Sequence, residues 1–368
     1  MDHFQDIVKP TLVLDEAVAR KNITRMAEKA RQQQVRFRPH FKTHQSAEIG
    51  EWFRQAGVTA IAVSSLDMAI YFADHGWEDI TIAFPFNLRQ SAALAELSER
   101  VKLGLLIENR AAALHLEHSL PGAVDAWMEI DVGAGRTGLA WTDAAAICGL
   151  ADELHALQKL RLRGLLTHAG HTYTAPSPAE ICRRYAESVA HLQAAHDALR
   201  RCGYPPVELS VGDTPGCTLC PDLGAVDEIR PGNFIFYDAQ QLALGVCRPE
   251  DIAVALACPV VAKFPERLEV AVYGGAIHLS KDDLLLGDRR VYGLAALPQE
   301  DRWGAPLEGA YVRGLSQEHG MIRLAADDFE RVQVGELIFV LPAHSCLAVT
   351  AMRSYRTLSG REITTFNE

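Results

Sequence analysis

The amino-acid sequence predicts an α/β protein: a (β/α)8 barrel of the TIM type followed by a C-terminal all-β domain. In the first two-thirds of the chain, short apolar runs alternate with longer amphipathic runs. This repeated strand–helix order predicts a parallel sheet, and about eight such units before residue 245 favour a closed barrel over an open sheet. Beyond about residue 246, glycine and proline separate short strand-like runs without a long helix between them, which is typical of an all-β module.

The periodicity of apolar residues assigns the individual elements. Helices, with apolar residues recurring at the helical period, are predicted at residues 16–33, 65–75, 88–100, 109–119, 142–157 and 178–202. Strands of the barrel are predicted at residues 58–63, 79–84, 101–107, 126–131, 162–168 and 208–211. Strands of the β module are predicted at residues 253–261, 267–273, 309–315, 336–341 and 348–352.

The composition argues against several classes of protein. The 368 residues include 36 Lys and Arg against 47 Asp and Glu, which gives a formal net charge of −11. An acidic chain without Lys/Arg clusters argues against binding to nucleic acid or to an anionic membrane surface. The sequence has no run of roughly 18 apolar residues and no basic, apolar leader. We therefore expect a cytoplasmic protein whose eight cysteines are reduced thiols.

The segment Arg38-Pro-His-Phe-Lys-Thr-His44 contains the leading catalytic candidate, Lys42. It follows a helix and a short basic strand, so it lies near the C-terminal end of an early barrel strand, where barrel enzymes keep their active sites. Two histidines and an arginine flank Lys42, and neighbouring positive charge favours the neutral amine that can form an imine. A solvated basic turn is the alternative interpretation.

Three further segments follow predicted barrel strands and could contact an anionic ligand. Asp131-Val-Gly-Ala-Gly-Arg-Thr-Gly138 supplies flexible backbone and the fixed cation Arg136, although its glycine spacing is not that of a dinucleotide-binding motif. Ser210-Val-Gly-Asp-Thr-Pro-Gly216 and Arg230-Pro-Gly-Asn-Phe234 can turn backbone N–H groups toward a phosphate at late barrel loops. Ordinary turns remain the alternative for each of them.

Two other segments offer titratable side chains. Thr167-His-Ala-Gly-His-Thr-Tyr173 places His168, His171 and Tyr173 just beyond a strand, where they could transfer protons. His344-Ser-Cys346 is predicted to lie in a strand, so that its imidazole and thiolate face the same side and can bind one Zn²⁺. A half-buried strand with an inert cysteine is the alternative. Cys217-Thr-Leu-Cys220 lacks a second cysteine pair, and we assign its thiols to packing.

These segments, in this order, resemble the D-serine dehydratase/D-threonine aldolase family of pyridoxal-phosphate enzymes, whose fold is shared with the N-terminal domain of alanine racemase. The resemblance covers nearly the whole chain, from Pro10-Thr-Leu-Val-Leu-Asp15 to His344-Ser-Cys346, and the lysine segment is its most specific part. It implies that Lys42 forms the Schiff base. It implies the catalytic residues Lys42, His171 and Tyr173, the cofactor-binding residues Lys42, His40, Arg136, Tyr173, Gly212, Thr214, Gly232 and Asn233, and the metal ligands His344 and Cys346.

The resemblance also implies an architecture. Residues 26–245 would form the pyridoxal-phosphate-binding barrel, and residues 246–368, together with residues 1–25, would form a β-rich metal-binding domain. The family implies a homodimer with composite active sites and a small D-amino acid as substrate.

The metal pair leans toward one reaction. In this family the aldolase branch resembles His-x-Asp and the dehydratase branch resembles His-x-Cys, so Cys346 favours dehydration of a β-hydroxy-D-amino acid to a 2-oxo acid and ammonia. A thiolate ligand favours Zn²⁺ over Mn²⁺ or Mg²⁺. Retro-aldol cleavage to glycine and an aldehyde, racemization, and non-catalytic cofactor binding remain alternative functions.

Overall fold

The computed structural model describes residues 4–366, and this part of the chain divides into two compact units. The barrel unit contains Arg25–Lys42 and Phe53–Gly232. The β-rich unit contains the residues up to Thr24, the segment Thr43–Trp52 and the residues from Asn233 onward. The outermost residues of the predicted domain limits, 1–3 and 367–368, lie outside the described residues.

The secondary structure follows the predicted order. The strands are β1 Thr11–Leu14, β2 Arg36–Phe37, β3 Ile61–Val63, β4 Asp79–Pro85, β5 Lys102–Ile107, β6 Val124–Asp131, β7 Leu139–Ala140, β8 Leu160–His168, β9 Glu208–Gly212, β10 Glu228–Ile229, β11 Val254–Phe264, β12 Glu269–Tyr273, β13 Leu284–Leu286, β14 Arg289–Val291, β15 Gly293–Ala296, β16 Tyr311–Leu315, β17 His319–Arg323, β18 Leu337–Pro342, β19 Ser354–Thr357 and β20 Glu362–Thr364. The α-helices are α1 Glu16–Gln32, α2 Ala47–Gln55, α3 Leu66–Asp74, α4 Ser91–Ser98, α5 Arg110–Ser119, α6 Ala144–His155, α7 Pro178–Arg201, α8 Thr214–Leu219, α9 Ala239–Ala243, α10 Ala276–Leu279, α11 Ala326–Arg331 and α12 Ser345–Met352.

The barrel unit is an eight-stranded parallel sheet that closes on itself. Its strands run in the order β2-β10-β9-β8-β6-β5-β4-β3. A parallel bridge between His40, just beyond β2, and Ala62 in β3 joins the two ends of this order. The predicted (β/α)8 barrel is confirmed, although β2 and β10 have only two residues each.

Side chains inside the barrel form levels, because successive residues of a strand point to opposite faces. Leu106, Trp127 and Leu166 form one buried apolar cluster within the unit. Gly164 makes room for this indole, since a Cβ there would lie 2.6 Å from Trp127 and 2.2 Å from the carbonyl oxygen of Glu208. Two residues beyond this cluster, the chain reaches the carboxyl ends of these strands, where the candidate site residues begin.

Capping residues explain where the barrel helices begin. An Asn, Asp or Ser side chain accepts a backbone N–H of the first turn and so satisfies a donor that has no partner within the helix. The N-caps of α3, α5, α6, α7 and α8 are Ser65, Asn109, Asp143, Ser177 and Asp213. Pro178 at the first position of α7 strengthens that start, since proline lacks an N–H.

The β-rich unit has a sheet of nine strands in the order β12-β17-β16-β15-β18-β11-β1-β19-β20. An additional pairing of β11 with β12 returns the path to its start, so six of these strands form a closed ring. Strand β1 pairs antiparallel with β11 and parallel with β19, which makes residues 11–14 part of this sheet. The C-terminal antiparallel β domain is thus confirmed.

The prediction of a strand at residues 348–352 is wrong. The chain forms α12 there, with His344 as its N-cap residue. The short apolar run from Cys346 to Met352 fits a buried strand and a buried helix equally well by periodicity. His344 and Cys346 therefore do not share one face of a strand, although their side chains still meet at the start of this helix.

The prediction that all eight cysteines are reduced thiols is also wrong. Cys148 in α6 and Cys202 at the end of α7 form a disulfide, with their Cα atoms 6.3 Å apart. The two residues are 54 positions apart in the sequence, and spacing alone does not reveal pairing.

Among residues 4–366, no helix combines the length and apolar composition needed to cross a membrane.

Candidate active site

Two backbone contacts fix the segment that carries Lys42 at the carboxyl end of the barrel. The N–H of His40 donates to the carbonyl oxygen of Pro231 at 3.0 Å, and the N–H of Phe41 donates to that of Ala62 at 2.8 Å. The N–H of Lys42 lies 3.4 Å from Nδ1 of His40. The segment before Lys42 is therefore bonded to the chain just beyond β10 on one side and to β3 on the other. This places Lys42 at the carboxyl end of the barrel, as the sequence predicts.

Positive charges surround two imidazoles in the barrel unit. Burial, and then the charges of Lys42 and Arg230, hold the pKa of His40 well below its usual range. Burial, Lys42 and Arg136 lower the pKa of His168 to about 3. Both histidines are thus neutral near pH 7, while the cations around them suit an anionic ligand.

Arg230 is the most deeply buried of these cations. Its guanidinium donates to the carbonyl oxygen of Thr167 at 2.6 Å and to the hydroxyl of Ser210. Burial lowers its pKa to about 10, so it stays charged at neutral pH. A Cβ at Gly212 would lie 3.2 Å from the Arg230 side chain, so glycine permits this close approach. The sequence indicated the Arg230 segment as a candidate phosphate site, with an ordinary turn as the alternative, but it did not indicate the buried guanidinium.

The predicted phosphate segment forms the start of α8. The carboxylate of Asp213 caps the helix, accepting the N–H of Gly216 at 2.5 Å and the hydroxyl of Thr172 at 3.0 Å. The hydroxyl of Tyr173 accepts the N–H of Thr214 at 3.1 Å. Within the described residues, the buried hydroxyl of Thr214 has no hydrogen-bond partner. A phosphate oxygen would satisfy this hydroxyl, so the residues present fit the phosphate of the predicted cofactor.

The structure brings some of the predicted barrel residues together and directs one elsewhere. Tyr173 lies against Thr214, with its ring centroid 6.0 Å from that of His168. His171 instead faces α7, with Nε2 at 3.3 Å from the hydroxyl of Ser188. Gly232 ends the barrel unit directly after Pro231. The catalytic role assigned to His171 stays a prediction.

The β-rich unit brings His344 and Cys346 together at the start of α12. Their side chains are hydrogen-bonded to each other, and Nδ1 of His344 lies 2.7 Å from a carboxylate oxygen of Asp282. Burial disfavours the imidazolium, but the charge of Cys346 and the hydrogen bond with Asp282 outweigh burial and raise the pKa of His344 to about 11. The hydroxyl of Thr43, the residue after Lys42 in the chain, lies 3.2 Å from Sγ of Cys346.

This donor set fits an open metal site. Because Nδ1 is engaged by Asp282, Nε2 is the nitrogen of His344 that can bind a metal, which is how carboxylates commonly orient metal-binding histidines. An imidazole and a thiolate suit Zn²⁺. The described residues contain no group of three or more His, Cys, Asp or Glu side chains placed to hold a metal.

A second carboxylate supports the start of α12. Asp238 is fully buried, and its Oδ2 accepts the N–H of Ser345 at 3.0 Å and an amide N–H of Asn233 at 2.6 Å. The amide oxygen of Asn233 is buried without a partner among the described residues. Asp238 and Asp282 could not be identified from the sequence, because neither lies in a recognisable motif or near His344 in the chain.

Comparison with known proteins matches both parts of the chain. Residues 14–240 match the family model described as alanine racemase, N-terminal domain, and residues 253–358 match the one described as putative serine dehydratase domain. D-threo-3-hydroxyaspartate dehydratase of Delftia sp. (strain HT23) is 30% identical over 359 residues, covering 95% of this chain and 94% of the relative. D-serine dehydratase of Dictyostelium discoideum is 28% identical over 392 residues, covering 97% and 95%.

Solved structures agree with this similarity. The structure of the Delftia enzyme superposes with a TM-score of 0.91 at 28% sequence identity, covering 100% of both chains. A second structure of that enzyme, also with a TM-score of 0.91 at 28% identity and full coverage of both chains, is a cysteine-to-alanine mutant in the metal-free form.

Proposed function

The chain belongs to the family that joins the N-terminal domain of alanine racemase to a serine dehydratase domain, and on this basis we propose that it is a pyridoxal-phosphate- and metal-dependent lyase. Its substrate is a β-hydroxy-D-amino acid, and its reaction is dehydration of the D-serine dehydratase type, giving a 2-oxo acid and ammonia. The observation that carries the choice of reaction is the paired His344 and Cys346 at the start of α12.

The barrel unit supplies the cofactor-binding residues of this proposal. Lys42 holds the cofactor covalently, Thr214 and Gly212 hold its phosphate, and Tyr173 lines the site beside Thr214. The assignments of His40, Arg136 and Gly232, and of Asn233 in the β-rich unit, rest on the family resemblance. When bound, the cofactor supplies an electron sink for the bonds at the substrate Cα.

Lys42 also serves as a base in this proposal, and the groups around it have fixed charge states. As a free amine, Lys42 would take the proton from the substrate Cα, because a neutral amine can act as a general base. His40 and His168 stay neutral beside it, so they can accept or donate hydrogen bonds without adding positive charge. The buried Arg230 keeps a fixed positive charge in the same unit.

The β-rich unit supplies the metal ligands. His344 and Cys346 hold one divalent cation, and the thiolate favours Zn²⁺ over Mn²⁺ or Mg²⁺. Bound there, the cation supplies Lewis-acid chemistry, which eases departure of hydroxide from the substrate Cβ. The metal-free form of the Delftia cysteine-to-alanine mutant is consistent with a cysteine ligand in that relative. We also propose a homodimer with composite active sites, as the family resemblance implies.

Product analysis tests the reaction. The purified holoenzyme is given D-serine, D-threonine and 3-hydroxy-D-aspartate, and ammonia, 2-oxo acid, glycine and aldehyde are measured. We expect ammonia and 2-oxo acid in equal amounts from at least one substrate. Glycine with an aldehyde would show the aldolase reaction instead, and release of the L-enantiomer alone would show a racemase.

A further inference from the structure

Two glutamates lie side by side on neighbouring strands of the barrel. Strands β5 and β6 are parallel, with Leu106 opposite Trp127 and Ile107 opposite Met128. The next step in this register places Glu108 beside Glu129. Leu106 and Trp127 belong to the apolar cluster of the unit, so the period of two directs both carboxyl groups to the same face, one level nearer the carboxyl ends of the strands.

The two carboxyl groups meet without a donor between them. The carboxyl groups of Glu108 and Glu129 interact directly with each other. Within residues 4–366, Oε1 of Glu108 and Oε2 of Glu129 are both buried and have no hydrogen-bond partner. A carboxylate can only accept hydrogen bonds, so a hydrogen bond between two carboxyl groups requires that one of them carry a proton.

The surroundings of the pair are not symmetric. Oε1 of Glu129 lies 3.7 Å from the guanidinium of Arg136, and Glu129 is one of two carboxylates whose charge opposes the effect of burial on the pKa of Arg230. Glu108 faces Glu129 and accepts the backbone N–H of Gly138, with Arg136 as a more distant charge. Burial, and then Glu129, raise the pKa of Glu108 to about 7. Glu129 is therefore the partner that faces the fixed cation, while Glu108 faces Glu129.

We propose that Glu108 and Glu129 form a carboxyl pair that shares one proton, and that its single negative charge positions Arg136 for binding the cofactor. Two ionised glutamates would overcompensate the charge of Arg136, and two neutral ones would leave it without an anionic partner in the pair. The sharing of a proton depends only on the geometry of the pair. The role toward the cofactor rests on the proposed function.

Infrared spectroscopy of the cofactor-free protein tests the shared proton. A buried protonated carboxyl group gives a C=O stretching band distinct from those of carboxylates and amides. We expect such a band near neutral pH, declining as the pH rises through about 7. It should be absent in Glu108→Gln, and in Glu129→Gln it should be lost at a lower pH, because burial alone then raises the pKa of Glu108. Persistence of the band in Glu108→Gln, an unchanged pH of its loss in Glu129→Gln, or its absence from the unmodified protein would overturn the pair.

Binding of pyridoxal phosphate to the cofactor-free variants tests the role toward Arg136. In Glu108→Gln the amide N–H replaces the shared proton and Glu129 still faces Arg136, so the dissociation constant should stay within about twofold of the original. Glu129→Gln removes the charge that faces Arg136 and should weaken binding about tenfold. Equal effects of the two substitutions would overturn the positioning role.

Two controls separate the possible failures. Glu99→Gln, an exposed position in the same unit, should change neither the band nor the affinity. Thermal unfolding shows whether a variant has lost its fold. If the unmodified protein does not bind pyridoxal phosphate at all, the proposed function fails while the infrared result still decides whether the carboxyl pair exists.

Discussion

The two units place histidines in opposite electrostatic environments. In the barrel unit, Lys42 and Arg136 help burial to lower the pKa of His168 to about 3. In the β-rich unit, Cys346 and Asp282 overcome burial and raise the pKa of His344 to about 11. An imidazole is thus kept neutral among cations in the barrel unit, whereas its charged form is stabilised among anions in the β-rich unit. The cationic cluster suits a phosphate-bearing cofactor, and the anionic cluster suits a metal ion.

The largest expected effect on activity comes from removing His344 or Cys346, the proposed metal ligands in the β-rich unit. His344→Ala and Cys346→Ala should each lower kcat for dehydration by roughly 100-fold or more, because the Lewis acid that assists the leaving group is lost. Metal content is measured in the same preparations. The visible absorbance of the lysine-bound cofactor should remain, since Lys42 is untouched. Cys182→Ala, which removes a thiol outside the cluster, serves as the control, and full activity of a metal-free preparation would contradict the assignment.

A smaller effect is expected from the carboxylate that orients His344. Asp282→Asn should weaken Zn²⁺ binding by about 10- to 100-fold, as is typical when a partner of a metal-bound histidine is lost. Isothermal titration of the metal-free protein measures this affinity. Asp283→Asn is a matched control, because Asp283 is the next residue and pairs with Arg290 instead. If both substitutions have the same effect, Asp282 has no specific role.

The cationic cluster predicts a pH dependence of stability. A histidine whose pKa is depressed on folding takes up a proton on unfolding, so stability is lost as the pH falls below the unfolded value of about 6.5 toward about 3. Replacing His168 with Gln should make stability between pH 6.5 and pH 4 less steeply dependent on pH. Urea unfolding at a series of pH values measures this slope. An unchanged slope would show that His168 is not kept neutral.

The smallest effect on activity is expected from the disulfide, which belongs to neither cluster. Cys202→Ser should lower the free energy of unfolding by about 2–4 kcal/mol, since the bond closes a loop of 54 residues. Activity at 25 °C and the cofactor absorbance should be unchanged. Alkylation with mass spectrometry establishes whether the bond is present in the purified protein, and two alkylated thiols at Cys148 and Cys202 would contradict it.

The comparison also shows which parts of the molecule the sequence can predict. The barrel could be predicted because strand and helix periods alternate regularly, and because caps such as Ser65 and Ser177 mark helix starts. Strand β10 could not be predicted, since two residues cannot display a period. Asp282 and His344 are 62 positions apart and meet only through tertiary structure. Likewise, Glu108 and Glu129 become a pair only through the register of β5 with β6.

The segment around His344 shows a different limit. Its residue types pointed to a metal pair through the family resemblance, while its local structure was predicted wrongly as a strand. The helix start brings His344 and Cys346 together in place of the predicted strand face. The proximity of the two side chains thus did not depend on the predicted strand, and their role as metal ligands stays a prediction.

The assignment of Lys42 as the residue that carries the cofactor can be tested by chemical trapping. The holoenzyme is reduced with borohydride, digested, and mapped by mass spectrometry. We predict a phosphopyridoxyl group on Lys42 and on no other lysine. A label on a different lysine, or an active enzyme without any labelled lysine, would contradict the account.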